Sequence, residues 1–221
     1  MCGIFAYLGK NYKKEKLTEF LLNNKHRGPD NTQYFYLNDE LYLGFNRLMI
    51  NGINKESNQP FLIKNNYLIC NGEIYNYKDL IKKYNLESDY ETNSDCEIII
   101  HLYHKIGLEK TLEELDGVFS FVLYDNTNKN IIIARDLIGI RSLYYSFSND
   151  EIVVASEMKS LTNFNNVFQF PAGSYWCSDT NKFVEYYNFD YKINNIDDID
   201  TIYKNINNLF IKAVEKRLMS D

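Results

Sequence analysis

The sequence predicts an α+β fold dominated by strands, on three observations. Short apolar or alternating runs, closed by turn-forming Asn, Asp or Gly residues, recur from Cys2–Gly9 to Phe183–Tyr187. Helical periodicity is confined to Lys14–Asn24, a short stretch from Asn76 or Tyr77 to Tyr84, Ser94–His104 and Thr201–Leu218. The 221 residues are 45% hydrophobic and 15% aromatic, enough to bury a sizeable core and too apolar for a disordered chain.

Cys2–Gly9 reads as a buried strand that holds the chain start inside the fold, and Lys14–Asn24 as a helix with Leu17, Phe20, Leu21 and Leu22 near one face. A polar loop, His26-Arg27-Gly28-Pro29-Asp30-Asn31, leads to strands at Thr32–Leu37 and Leu41–Leu48 joined by the turn pair Asn38-Asp39. Leu62–Ile63 and Tyr67–Cys70 read as a hairpin around Asn65-Asn66, its second arm ending at Asn71-Gly72, where the chain is expected to turn. Ser94 is placed as the cap of a helix running to His104, with Glu97 at the capping-box position. Leu115–Asp125, Lys129–Arg135, Leu143–Phe147 and Glu151–Ser156 read as a meander, and Ser174–Cys177 with Phe183–Tyr187 as a last hairpin. Asn188–Asp200 loses periodicity and gains acids, as a linker would; Thr201–Leu218 is an amphipathic helix with no core behind it in sequence.

Composition excludes several classes of function. Nineteen tyrosines could stack on bases, but a net charge of −6 disfavours a phosphate-binding surface, so no nucleic-acid partner is expected. No run approaches the roughly 20 apolar residues that span a bilayer, so no membrane partner is expected either. Cys2, Cys70, Cys96 and Cys177 are widely spaced with no C-x-x-C and no signal peptide ahead of them, which fits a reducing, cytoplasmic setting. His101 and His104 sit at i, i+3 near Cys96, but a closed zinc site needs four ligands, so no metal is expected.

The chemistry concentrates at Cys2. Removal of Met1 would leave a cysteine whose thiol attacks an acyl carbon while its own α-amine, with an ordinary pKa of about 7.7–8.0, takes the thiol proton. Such a nucleophile needs donors for a developing oxyanion, and the Asn71 side-chain amide with the Gly72 N–H can supply two, glycine permitting close approach and positive φ. Arg47 can take an α-carboxylate, and Glu73 and Asp95 an α-ammonium. Taken singly, Cys2 is more often a small buried apolar group, Asn-Gly a hairpin turn, and the charges solvated or capping residues. Their joint occurrence favours a site.

Met1-Cys2-Gly3-Ile4, His26-Arg27-Gly28-Pro29-Asp30, Arg47-Leu48, Asn71-Gly72-Glu73-Ile74-Tyr75-Asn76 and Ser94-Asp95 together resemble the class II glutamine amidotransferases. Within that group, Leu115-Asp116-Gly117-Val118-Phe119, Arg135-Asp136, Gly139-Ile140-Arg141, Ser156-Glu157 and the closing Ala213–Asp221 segment resemble the glutamine-dependent asparagine synthetase family. The resemblance implies an N-terminal-nucleophile hydrolase fold, a four-layer αββα sandwich with mostly antiparallel sheets. It implies Cys2 as nucleophile, Asn71 and Gly72 as oxyanion hole, Arg47 as carboxylate partner, Glu73 and Asp95 as substrate-holding residues, and Ile50 and Asn51 lining the pocket through backbone. Phe45 stands where the family commonly has histidine, and Asn51 near a position usually aspartate or similar; neither alters a residue with an assigned chemical role.

The expected activity is hydrolysis of glutamine to glutamate and ammonia through a Cys2 thioester, without a cofactor, for ATP-dependent conversion of aspartate to asparagine elsewhere. ATP and Mg2+ are implied only for a synthetase domain, whose Ser-Gly-Gly-x-Asp-Ser loop would lie beyond this sequence. The expected organisation is a glutaminase domain over residues 1–187, then a linker and first synthetase helix over 188–221. The chain is expected to be a fragment of such an enzyme or a stand-alone amidase half, the unpartnered final helix favouring the fragment. Partners are glutamine and a synthetase domain in the same chain, with a homodimer left open. Two alternatives remain open: the glutaminase half of a sugar-phosphate or phosphoribosyl amidotransferase, and a non-catalytic glutamine-binding module.

Overall fold

A computed structural model of the chain describes residues 1–148, 151–189 and 198–218. The chain runs β1 (Gly3–Leu8), α1 (Lys14–Leu22), β2 (Asn31–Leu37), β3 (Leu41–Arg47), β4 (Phe61–Ile63), β5 (Asn66–Ile74), α2 (Tyr77–Tyr84), α3 (Ile98–Ile106) and α4 (Leu108–Glu114). It continues through β6 (Gly117–Asp125), β7 (Asn130–Arg135), β8 (Tyr144–Phe147), β9 (Ile152–Ala155), β10 (Phe168–Gln169), β11 (Ser174–Cys177), β12 (Lys182–Glu185) and α5 (Ile199–Lys216).

The strands form two six-stranded antiparallel sheets, ordered β10-β8-β9-β1-β3-β2 and β12-β11-β7-β6-β5-β4. Their facing sides bury Ile4, Ala6, Leu43 and Phe45 of the first sheet against Ile69, Val122, Ile133 and Trp176 of the second. The first sheet turns Phe5, Tyr7, Tyr42 and Val153 outward onto Leu17, Phe20 and Leu21 of α1. The second turns Leu68, Cys70, Phe119 and Phe121 outward onto Ile98, Leu102 and Leu112 of α3 and α4. The result is the αββα sandwich. Because both faces of the central strands are covered, β1 and β3 read as continuous apolar runs rather than alternating ones.

Several sequence expectations are corrected. The four strands read as one meander divide between the sheets: β6 pairs with β7, the chain then crosses, and β8 pairs with β9 in the other layer. Asn71-Gly72 does not end a strand; β5 continues through it to Ile74, paired throughout with β6. Gly72 is accordingly extended rather than at positive φ, and what requires glycine is crowding: a Cβ there would lie 2.7 Å from both the Phe119 Cβ and the Val118 carbonyl oxygen. The hairpin turn before β5 is made by Lys64 and Asn65, both at positive φ. Ser94 caps a 3-10 turn at Asp95–Glu97 by accepting the Cys96 N–H, but Glu97 does not close the box and instead accepts the N–H groups of Glu91 and Thr92. Helix α4 is absent from the sequence reading. Most of the segment read as a linker, 190–197, lies outside the described residues, as do Asn149 and Asp150, between two of the strands read as a meander, and Met219-Ser220-Asp221.

The pairing of the sheets rests on large-to-small-sensitive core positions. Leu43→Ala, at a fully buried position between the layers, is expected to lower stability by about 2–5 kcal/mol with little change in the urea m-value. An unaltered urea midpoint would contradict this packing.

Candidate active site

The site forms where the inter-sheet faces run out of apolar side chains. Side chains two apart share a strand face, so Ile4 of β1 is preceded on its face by Cys2, Phe45 of β3 is followed by Arg47, and Ile69 of β5 is followed by Asn71 and Glu73. The three strands therefore bring a thiol, a guanidinium, an amide and a carboxylate to one end of the inter-sheet core. The 3-10 turn after Ser94 adds Asp95, and the loop after β7 adds Arg141. All of them line one cavity with about 460 Å³ of atom-free space including its mouth, together with Ile50, Asn51 and Gly72. Every residue assigned to the site from sequence is thus brought to the same place.

Cys2 is fixed from both sides. Leu48 N–H donates to Cys2 Sγ at 3.4 Å, and Arg27 Nε donates to the Cys2 carbonyl at 2.9 Å. Arg27 is in turn paired with Glu157 at 3.1 Å, and the neighbouring Ser156 Oγ accepts the Ile4 N–H. The loop carrying Arg27 can approach because residue 28 is glycine: a Cβ there would stand 2.2 Å from the Asn46 carbonyl oxygen. Burial pushes the Cys2 thiol above its ordinary pKa, partly offset by the Leu48 N–H and by the chain's own terminal amine. Burial, aided by the nearby Arg27 and Arg141 cations, holds the Met1 amine below its ordinary value.

The donor pair at Asn71-Gly72 is geometrically distinct from a turn. Asn71 is 1% exposed, and its Nδ2 is a buried donor with no hydrogen-bond partner. Such an orphan costs about 1–3 kcal/mol when nothing binds it. In an antiparallel ladder, alternate residues point their N–H and C=O away from the partner strand. On β5 the outward residues are Cys70, Gly72 and Ile74: the Gln59 side chain bonds both backbone groups of Cys70, and Asp95 Oδ2 accepts the Ile74 N–H at 2.6 Å. Between them the Gly72 N–H points off the same sheet edge, towards the cavity it lines.

The charges are arranged less simply than the sequence suggests. Arg47 is buried, and both its terminal nitrogens donate to the 51–58 loop: Nη1 to Asn54 O at 2.8 Å and Asn58 Oδ1 at 2.6 Å, Nη2 to the carbonyls of Asn51 and Gly52. It shapes that loop, and a carboxylate bound there would have to exchange some of these bonds. Glu73 accepts from Arg141 Nη2 at 2.9 Å. Asp95 is buried, which raises its pKa to about 6 against the lowering effect of the Ile74 N–H and the Asn51 side chain. Sequence reasoning assigned no role to Arg27, Leu48, Gln59, Arg141 or Glu157; all but Gln59 did stand inside quoted motifs, which was the available signal. His101 bonds Glu97 and His104 faces Asn66, and no group of metal ligands exists among the described residues.

A family described as the glutamine amidotransferase domain matches residues 1–216. The chain belongs to that family. Among curated proteins, the amidotransferase domain is 36% identical over 230 residues to asparagine synthetase [glutamine-hydrolyzing] 1 of Arabidopsis thaliana, covering all of this chain and 38% of that protein. It is 35% identical over 257 residues to a probable asparagine synthetase [glutamine-hydrolyzing] of Acanthamoeba polyphaga mimivirus, again over the whole chain and 46% of the relative. The chain therefore spans less than half the length of these relatives. Among solved structures, the glutamine phosphoribosylpyrophosphate amidotransferase from B. subtilis superposes with a TM-score of 0.69 at 22% identity, over 84% of this chain and 49% of that one. A structure titled as the allosteric regulatory enzyme of purine biosynthesis gives 0.67 at 23% identity, with the same coverage. At such identity these two establish the shared fold.

The raised pKa of Asp95 gives the amidotransferase site a pH signature. Its carboxylate is charged above about 6 and neutral below, so a cation held by it would be bound at neutral pH and released on acidification. In the free enzyme kcat/KM for glutamine is expected to fall as the Cys2 amine that serves as base protonates, and to fall further through about 6 as Asp95 protonates, towards the level of Asp95→Asn, whose profile should keep the first limb and lack the second step. An identical second step in Asp95→Asn would remove Asp95 as its source.

Proposed function

We propose that the chain is the glutaminase half of a glutamine-dependent asparagine synthetase. The observation that carries the glutaminase step is the unpartnered Asn71 Nδ2 in the cavity that holds Cys2. In the proposed reaction, Met1 is removed and the Cys2 α-amine takes the thiol proton. The thiolate adds to the glutamine side-chain amide carbon, and the oxyanion sits between Asn71 Nδ2 and the Gly72 N–H. Collapse of the adduct expels ammonia with the proton returned from the amine, leaving a γ-glutamyl thioester. Water adds to that thioester with the amine again as base, and glutamate leaves as the thiol is restored.

Glu73 and Asp95 each have one oxygen anchored by the protein, to Arg141 and to the Ile74 N–H respectively. The second Glu73 oxygen is left for the substrate α-ammonium, Asp95 exchanges its contact with the Asn51 side chain for the same group, and Arg47 with the 51–58 loop receives the α-carboxylate. The asparagine half of the proposal rests on the curated relatives, which are longer and carry that name. There, ATP and Mg2+ would activate aspartate in a synthetase domain that takes up the ammonia, with the domain boundary near residue 187 and a cytoplasmic setting. Helix α5 suits such a continuation, since no residue on it is buried and Ile206, Leu209 and Phe210 face solvent.

The test is glutamate release from glutamine by the processed protein. Cys2→Ala is expected to abolish it, and Asn71→Ala to lower kcat by about 10²–10³. An Asn71→Ala enzyme with wild-type kcat would remove the oxyanion assignment, and release by Cys2→Ala would remove the nucleophile.

A further inference from the structure

The loop between β7 and β8 is braced to an unusual degree around one side chain. The Asp136 carboxylate accepts three backbone N–H groups, from Phe119 at 3.2 Å, Ile140 at 2.8 Å and Arg141 at 3.0 Å. The Arg135 guanidinium donates to three carbonyls, those of Gly139 at 2.6 Å, Arg141 at 2.7 Å and Phe170 at 2.6 Å. Both peptide groups of Arg141 are thus held by buried charges, at a place where a loop would ordinarily be solvated and mobile. Fixing backbone with a buried ion is expensive in desolvation, and here two such ions converge on a single residue, Arg141.

Arg141 is itself only 8% exposed, lines the cavity with Cys2, and has Glu73 as its acceptor among the described residues. Its Nε is buried without a partner. Two of the carboxylates in the cavity are therefore oriented by different means: Asp95 by a backbone N–H of β5, and Glu73, whose side chain is 27% exposed and would otherwise sample several rotamers, by Arg141.

We propose that Arg141 is a positioning residue for glutamine binding: held rigidly by Asp136 and Arg135, it fixes the Glu73 carboxylate so that its second oxygen meets the substrate α-ammonium. The inference rests on the glutaminase reading of the site. It gives Arg135-Asp136 and Gly139-Ile140-Arg141 a joint purpose, since the first pair immobilises the backbone from which the second delivers its side chain. Arginine suits the task because its planar fork sets the direction of a carboxylate, which the point charge of lysine does not.

The experiment measures glutamate release and, separately, the rate at which iodoacetamide alkylates Cys2, in processed wild type, Arg141→Met, Arg141→Lys, Glu73→Gln and the Glu73→Gln/Arg141→Met double variant. Arg141→Met is expected to raise KM for glutamine about tenfold or more while kcat stays within about threefold, with Arg141→Lys intermediate. Alkylation, which needs no ammonium contact, should be unchanged in both. On the Glu73→Gln background the Arg141→Met change should add less than about twofold, because the partner it positions is already gone. Full additivity, an unchanged KM, or a parallel fall in kcat and alkylation would overturn the inference while leaving an active wild type as a glutaminase. A wild type that releases no glutamate would overturn the glutaminase reading and this inference with it.

Discussion

The bond from Arg27 to the Cys2 carbonyl is the constraint on which the site depends. A chain end is ordinarily frayed, because nothing beyond it helps to hold it. Here β1 is the central partner of β3 and β9, and its first residues are pinned by Ser156, Arg27 and Leu48. The consequence is a nucleophile delivered by main-chain geometry. Its single side-chain torsion is limited further by the Leu48 N–H contact, so little freedom remains to be lost when a substrate arrives.

Around that fixed point the protein disposes of its buried charges in different ways. Arg47 keeps its charge by surrounding the guanidinium with acceptors from residues 51–58, although burial still lowers its pKa. Asp95, with fewer donors, moves towards its neutral form instead. Glu73 is the more exposed of the two carboxylates and is matched with a cation. A zwitterion entering the cavity would meet carboxylates already oriented by the protein, whereas Arg47 would have to exchange some of its bonds to the 51–58 loop.

Much of this was legible from the residues. Strand positions followed from apolar runs and Asn or Asp turns, and the chemistry-bearing residues from their joint occurrence. The errors have a common physical origin, in that sequence pattern reports local preference and partners are non-local. Asn71-Gly72 has the composition of a turn, yet it stays in β5 because β6 pairs with it over its whole length and Phe119 leaves no room for a larger residue. The apparent meander splits between layers because the crossing after β7 is fixed by Asp136 and Arg135, which bond Phe119 and Phe170, distant in sequence. Arg27 and Arg141 escaped a role for the same reason: each acts on a residue far along the chain. Helix α4 was missed because Leu108–Glu114 is short and buries only Thr111 and Leu112, too little for a visible period.

The central claim is that a liberated Cys2 α-amine and thiol act together beside Asn71 and Gly72. The most direct measurement is intact-mass analysis after exposure to an electrophilic glutamine analogue, comparing the processed protein with a form that retains Met1. The account predicts one adduct, on Cys2, in the processed protein and none on the same timescale when Met1 is kept. Equal labelling of both forms, or no adduct on the processed one, would contradict it.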